Sequence, residues 1–239
     1  MNEHTFALFF ERLSNVPERV TTLEITDQTL LHRIKRVLRL RVDDTLTFFD
    51  AHVHINGTII KATDRSVSVS LDTRAPNKAL KPELTVAVGL LKPDALHTAI
   101  YTLAELGVNT IQLYTSTKVH RAWGGQKEHE RLSRIAVAAA EQCKHFAMPT
   151  IKEPIPLAEI QPTQINIVCD PDGTPLINYL ATQQPLAEKT IMLIIGPEGD
   201  LTVDEKKLLS AHYTACSLTP TVLRSEEAAT LAAGIIRCV

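Results

Sequence analysis

The sequence predicts an α/β protein made of two domains, a small β-barrel-like domain followed by a larger domain with an open sheet and helices. Up to residue 72, short strand-like runs alternate with one helix, whereas from residue 84 onward longer strand and helix patterns alternate. Between them, Pro76 and Pro82 stand among polar residues, and a proline disfavours helix at the residue before it. We therefore predict domains over 1–72 and 84–239, joined by a linker over 73–83.

Four strand patterns and one helix pattern make up the first predicted domain. The strands are expected over 6–10, 45–49, 53–61 and 66–71, and the helix over 27–38. The last strand reads Ser-Val-Ser-Val-Ser-Leu, an alternation that is typical of a sheet with one face in water. These elements indicate a small barrel that carries a basic helix.

The second predicted domain alternates apolar strands with amphipathic helices. Its strands are expected over 84–91, 111–114, 165–169 and 191–195, and its helices over 94–106, 128–143, from residue 202 and over 225–237. Gly107 is a candidate C-terminal cap, and Thr202 with Glu205 forms a capping box. Pro149, Pro154 and Pro156 predict irregular chain after the long helix. In an open α/β sheet, ligands are expected at the carboxyl ends of the strands.

Composition limits the classes of partner and site. The 239 residues carry a net charge of -2, so any nucleic-acid site must be local rather than global. No apolar run is long enough to span a bilayer, and 1–10 has no basic segment typical of a secretory signal, so we expect a cytoplasmic protein. Four cysteines stand far apart without a C-x-x-C pair, and no metal site is predicted.

One basic cluster is the candidate RNA-binding element. Residues 32–41 contain five lysines or arginines and no acidic residue, and the candidate contacts to RNA phosphates are His32, Arg33, Arg36 and Arg39. The alternative interpretation is the solvated face of an amphipathic helix. The sequence alone leaves both open.

The first candidate site segment follows a predicted apolar strand. Its five residues are Ile195, Gly196, Pro197, Glu198 and Gly199. Glycines let backbone groups approach a ligand closely, the proline fixes the turn, and the glutamate offers a carboxylate. The alternative is a tight turn between strand and helix with no ligand.

The second candidate segment runs from Leu218 through Thr219, Val222 and Leu223 to Arg224, immediately before the last predicted helix. Ser225 and the two glutamates after it can be explained as helix-start chemistry alone. Arg224 cannot, because a cation at a helix N-terminus is unfavourable unless it serves another partner. Other templates are missing: there is no G-x-G-x-x-G, phosphate loop, H-E-x-x-H or G-x-S-x-G.

Together these segments resemble the RsmE family of 16S rRNA uridine-N3 methyltransferases, which belongs to the SPOUT superfamily. The I-I-G-P-E-G run before a helix and the L-x-P-x-V-L-R-S-E-x-A run into the last helix carry the resemblance. Other stretches agree in order along essentially the whole chain. They are the basic 32–39 helix, Phe48-Phe49-Asp50, Ala104-Glu-Leu-Gly-Val108 and Ala140-Glu-Gln-Cys143.

The resemblance implies more than the patterns alone predict. The family's fold is an N-terminal PUA-like β-barrel that binds RNA and a C-terminal SPOUT-type α/β domain with a trefoil knot. The cofactor is S-adenosyl-L-methionine, held by the loops that here correspond to 195–199 and 218–224. The partner is 16S rRNA of the small ribosomal subunit, and two copies form a homodimer.

The implied reaction gives the end of the second segment a chemical role. Uridine N3 must lose its proton before it attacks the sulfonium methyl, and a nearby cation can stabilise the resulting anion. Arg224 and Glu226 are therefore the candidate catalytic residues. The arginine is expected to remain partly solvated without RNA, because its burial alone would be costly.

The chain departs from the family pattern at several positions. Asp200 stands where family members commonly have a second glycine, Thr219 where they have glycine, and Thr221 where they have arginine. The second class of function to consider is a catalytically weak rRNA-binding module that acts in ribosome assembly with the same fold. A hydrolase built on Asp170 or Asp172 is a third, with no nucleophile or metal motif in its support.

Overall fold

The computed structural model describes residues 5–119 and 121–239. They divide into two compact units. The first unit contains the chain up to Lys78 together with Glu141–Ala147, and the second contains Ala79–Ala140 and Met148–Val239.

The first unit is built on a mostly antiparallel sheet. Its strands are β1 (Phe6–Phe9), β2 (Thr22–Ile25), β3 (Thr45–Phe49), β4 (Val53–Ala62), β5 (Val67–Leu71) and β6 (Ala75–Pro76). The order is β1-β3-β4-β5-β2, with β6 on β4, and β1 pairs with β3 in parallel. The four predicted strands are confirmed, whereas β2 and the two-residue β6 were not predicted.

The alternation that predicted β5 also determines its packing. Val67, Val69 and Leu71 are buried, while the serines between them are partly exposed. The predicted basic helix is confirmed as α1 (Gln28–His32), which continues into a single π-helical turn over Arg33–Val37. Asp27 caps it, since its Oδ1 accepts a hydrogen bond from the Leu30 amide at 2.9 Å.

The second unit is a parallel sheet with helices, as the sequence predicted. Its strands are β7 (Glu83–Gly89), β8 (Thr110–Thr115), β9 (Thr150–Pro156), β10 (Ile165–Pro175), β11 (Thr190–Ile195) and β12 (Thr214–Ser217), in the order β12-β10-β11-β7-β8-β9. Its helices are α2 (Pro93–Glu105), α3 (Gln126–Cys143), α4 (Leu176–Thr182), α5 (Val203–Leu209) and α6 (Ser225–Cys238). Every strand pair in it is parallel.

The prediction of irregular chain after the long helix is wrong. The three prolines there flank or occupy β9, which pairs only with β8 and lies at the edge of the sheet. An edge strand tolerates proline because one row of its amides needs no partner. The pairing shifts register between Gln112 and Tyr114, opposite the stretch of β9 that contains Pro154.

Several side chains fix the ends of the helices around the sheet. Gly107 has φ +64°, which confirms the predicted cap of α2, and the Thr202 and Glu205 capping box is present. The guanidinium of Arg237 donates to the carbonyls of Pro82 at 2.6 Å and of Gly107 at 2.5 Å. These contacts tie the last turn of α6 to the end of α2 and the start of β7.

Candidate active site

A cavity of about 820 Å³ opens in the second unit at the carboxyl ends of its strands. Four stretches line it. The first follows β7 (Lys92, Asp94, Ala95) and the second lies in β10 (Cys169 to Pro171). The third runs from the end of β11 into the turn after it (Ile195 to Glu198, and Asp200), and the fourth runs from β12 into α6 (Cys216, Leu218, Thr219, Thr221 to Glu226, Ala228). This is the edge at which an open parallel sheet is expected to bind ligands. The volume suits a ligand of cofactor size.

The turn after β11 is held on two sides by side-chain hydrogen bonds. The hydroxyl of Ser225, a buried residue at the start of α6, donates to the Gly196 carbonyl at 2.7 Å. The Glu198 carboxylate accepts from the Lys92 amide at 3.0 Å, just before α2. Glu198 therefore positions the turn against the start of α2, so its carboxylate has a partner within the protein.

The loop between β12 and α6 closes on itself. The Thr219 hydroxyl donates to the Thr221 carbonyl at 2.6 Å. Thr219 thus uses its side chain to stabilise the loop. Val222 is 81% exposed at the cavity lining, which leaves an apolar side chain facing solvent beside the opening.

Arg224 and Glu226 both line the cavity where α6 begins. Arg224 is exposed, which confirms that it is solvated, and its guanidinium has no ion pair within 5–119 and 121–239. Its backbone amide is instead held by the Glu227 carboxylate at 3.4 Å. Because no ion pair among the described residues engages the guanidinium, that cation is available to a ligand.

A charged bridge joins two walls of the cavity. The Lys206 Nζ lies 2.9 Å from Asp170 Oδ2 and 3.1 Å from Asp200 Oδ2. The hydrogen bond from Lys206 holds the pKa of Asp170 below its usual range, and the same contact raises the pKa of Lys206. Asp170 and Lys206 are therefore both charged at neutral pH.

The inner wall of the cavity includes two thiols from neighbouring strands. Cys169 and Cys216 are register partners in β10 and β12. Burial raises the pKa of Cys169 and raises that of Cys216 to about 11, so both thiols stay protonated at neutral pH. They act as small apolar wall residues rather than as nucleophiles.

Comparison with known proteins shows the family of this chain. A family model described as an RNA methyltransferase domain matches residues 78–237, which is more than half of the chain. The chain belongs to the RsmE family of RNA methyltransferases. The match includes every residue that lines the cavity.

Curated and solved relatives agree with this assignment. Ribosomal RNA small subunit methyltransferase E of Rickettsia conorii is 29% identical over 227 residues, covering 90% of this chain and 89% of the relative. A Legionella pneumophila methyltransferase, solved with bound SAM, has a TM-score of 0.80 at 22% identity, covering 98% and 97%. The Neisseria gonorrhoeae methyltransferase E, solved with S-adenosyl methionine, has a TM-score of 0.80 at 19% identity, covering 98% of each chain. At these identities the two structures show the fold.

The structure brings together nine of the ten residues predicted to bind the cofactor in this RsmE chain. They are Ile195, Gly196, Pro197, Glu198, Leu218, Thr219, Val222, Leu223 and Arg224. Gly199 does not line the cavity, and a Cβ built on it would meet the Cβ of Lys118 at 3.2 Å. Its glycine is thus explained by the close approach of Lys118, and a contact with the donor stays a prediction.

Sequence reasoning missed the wall that follows β7 and the one in β10. Lys92 and Asp94 follow a strand that was predicted, so the rule of strand carboxyl ends could have indicated them. Asp170 carried no signal for this role, because its contribution depends on Lys206, which lies on α5.

Three of the four residues predicted to bind RNA lie on the helix of the first unit, and Arg39 follows the end of that helix. His32, Arg36 and Arg39 are exposed. Arg33 already has a partner within the unit, since its two terminal nitrogens donate to the Glu141 carboxylate at 2.7 and 2.6 Å. That hydrogen bond raises the pKa of Arg33. RNA binding and the solvated face both remain compatible with this arrangement.

The part of the chain that the structure describes contains neither a candidate metal-binding cluster nor a candidate membrane-spanning helix. No group of three or more His, Cys, Asp or Glu side chains there could hold a metal ion. Among the same residues, no helix combines the length and apolar character needed to cross a membrane.

Proposed function

We propose that this RsmE-family protein transfers a methyl group from S-adenosyl-L-methionine to N3 of a uridine in 16S rRNA of the small ribosomal subunit. The observation that carries the proposal is that both family loops, 195–198 and 218–224, line one cavity. Arg224 lies in its lining and has no ion pair among the residues that the structure describes. The relative from R. conorii is named for the small-subunit RNA, and the L. pneumophila relative was solved with SAM.

The residues present fit the cofactor. A Cβ built on Gly196 would meet nothing closer than 3.9 Å, so this face of the turn leaves room for a ligand to approach the backbone. The loops on either side offer backbone amides and carbonyls for polar groups, while the two protonated thiols and Ile195 supply apolar surface. When bound, the donor supplies an electrophilic methyl group on its sulfonium.

Arg224 and Glu226 would act on the uridine. Glu226 is the carboxylate beside the arginine that can accept the N3 proton, and Arg224 can stabilise the anion left on the ring. The guanidinium has no ion pair among the described residues that would have to break, which favours its binding to RNA. Its N–H groups can donate to O2 or O4 of the ring, the carbonyl oxygens that share the charge of the anion.

The other parts of the proposal follow from the resemblance. The 1–72 domain is proposed to be a PUA-like barrel that contacts RNA phosphates through His32, Arg33, Arg36 and Arg39. The 84–239 domain is proposed to contain a trefoil knot and to form a homodimer. The ribosomal substrate implies that the protein acts in the cytoplasm.

Calorimetry with S-adenosyl-L-methionine separates this proposal from a pure rRNA-binding module. The wild-type protein should bind the donor with one site per chain, and Ile195 or Gly196 variants that fill the cavity should lose it. Gly196→Val is the sharpest of these, because its side chain would occupy the open face of the turn. A folded wild-type protein that binds small-subunit RNA but takes up no donor would leave the binding module as the function.

A further inference from the structure

Lys206 connects two segments that belong to different walls of the cavity. Asp170 lies in β10 and Asp200 follows the Gly-Pro-Glu-Gly turn, and both line the cavity. Lys206 lies on α5, outside that lining, and its ammonium contacts both carboxylates within about 3 Å. The exposed fraction of the side chain is 16% for Asp170, 64% for Asp200 and 38% for Lys206.

The backbone at Asp200 explains why the bridge can exist in this chain. Asp200 has φ +60°, a conformation that suits glycine, and aspartate is one of the few other residues that adopts it readily. Its Oδ1 accepts from the Leu201 amide at 2.7 Å, which leaves Oδ2 for Lys206. The aspartate therefore keeps the turn that glycine would give and adds a carboxylate to it.

We propose that Lys206 is a positioning residue for the methyl donor, acting by holding the turn after β11 and the wall formed by β10 at a fixed separation. This inference rests on the proposed function, because it assigns the donor to this cavity. Without the ammonium, Asp170 and Asp200 would face each other as two like charges and would separate toward water. The cavity would then lose the single shape that binds the donor.

The test compares three variants of the full-length protein. Lys206→Met removes the charge and keeps most of the stem, Lys206→Arg restores a cation, and Lys207→Met changes the exposed neighbouring lysine on the same helix. For each, calorimetry measures binding of S-adenosyl-L-methionine and of S-adenosylhomocysteine, and steady-state kinetics separates KM for the donor from kcat.

We expect Lys206→Met to weaken both ligands by about fivefold, to raise KM for the donor equally, and to leave kcat at saturating donor within about twofold. High salt should weaken donor binding by the wild type more than by this variant. Lys206→Arg should bind nearly as the wild type does, and Lys207→Met should be indistinguishable from it.

Three results would overturn the inference. The first is equal donor affinity in Lys206→Met and Lys207→Met. The second is a lower melting temperature for Lys206→Met with unchanged donor affinity of the folded protein, which would mean that the bridge stabilises the fold and does not position the donor. The third is tighter binding of the cationic donor by Lys206→Met with no change for the neutral product, which would mean that Lys206 affects the donor only through charge repulsion. Failure of the wild type to bind donor would instead refute the proposed function.

Discussion

At the scale of single residues, Arg224 carries the chemistry of the proposal. Arg224→Ala should leave donor affinity nearly unchanged, because the sulfonium and the guanidinium repel each other. The methylation rate should fall by roughly a hundredfold or more, the scale seen when one electrostatic stabiliser is removed. Arg224→Lys should recover only part of it. Loss of donor binding with normal single-turnover chemistry would assign the arginine to the donor site and refute this role.

Arg224 and Lys206 differ in how far the sequence could predict their roles in the site. Arg224 was conspicuous because a cation at a helix N-terminus needs another partner, and the structure leaves it solvated beside the cavity. Lys206 gave no such signal. Its role depends on the backbone angle of Asp200 and on the position of Asp170 in another strand, and neither can be read from local pattern.

At the scale of elements, the basic helix makes a prediction that separates RNA binding from a solvated face. Arg36→Gln and Arg39→Asn should each lower the dependence of RNA affinity on log salt by about one unit, because each loses one phosphate contact. Asparagine suits position 39, where φ is +57°. The measurement is a salt titration of binding to a small-subunit rRNA fragment.

Arg33→Gln is the matched comparison on the same helix. Its guanidinium already pairs with Glu141, so we expect lower thermal stability and a smaller change in the salt slope. An unchanged slope in both the Arg36 and Arg39 variants would assign the cluster to the solvated face.

Element type was predictable wherever the periodicity was long and clean. The alternating β5, the apolar β7 and the amphipathic α2 and α3 were all predicted with bounds close to those observed. The missed elements are short, or their pattern is interrupted. Strand β12 has four residues, α4 has seven, and β9 contains prolines that only its position at the sheet edge makes acceptable.

At the scale of the whole molecule, the last helix predicts self-association. Ala229, Ala232 and Ile236 of α6 are used in the core of the unit, whereas Leu231 remains 37% exposed. We expect a homodimer whose contact includes this helix, and Leu231→Glu should raise the dimer dissociation constant by an order of magnitude or more. Sedimentation equilibrium measures both. A wild-type protein that is monomeric at micromolar concentration would contradict the prediction.

The fold class was predictable from composition and strand order, but the path of the chain was not. An α/β sheet follows from alternating strands and helices, and the parallel pairing agrees with it. Periodicity contains no information about threading, so the trefoil knot rests on family resemblance alone. Periodicity also could not assign 141–147 to the first unit. These residues include the end of α3, and the rest of α3 lies in the second unit.

Transfer of a labelled methyl group is the sharpest test of whether the protein methylates uridine N3 in small-subunit rRNA. Purified protein would be incubated with methyl-labelled S-adenosyl-L-methionine and with small subunits from a strain that lacks the modification. Nucleosides from the 16S rRNA would then be identified by mass spectrometry. We predict one 3-methyluridine per subunit with the wild type and almost none with Arg224→Ala. Label on a ribose, on a ring carbon or on another base, or no label from a folded protein that binds the donor, would contradict the claim.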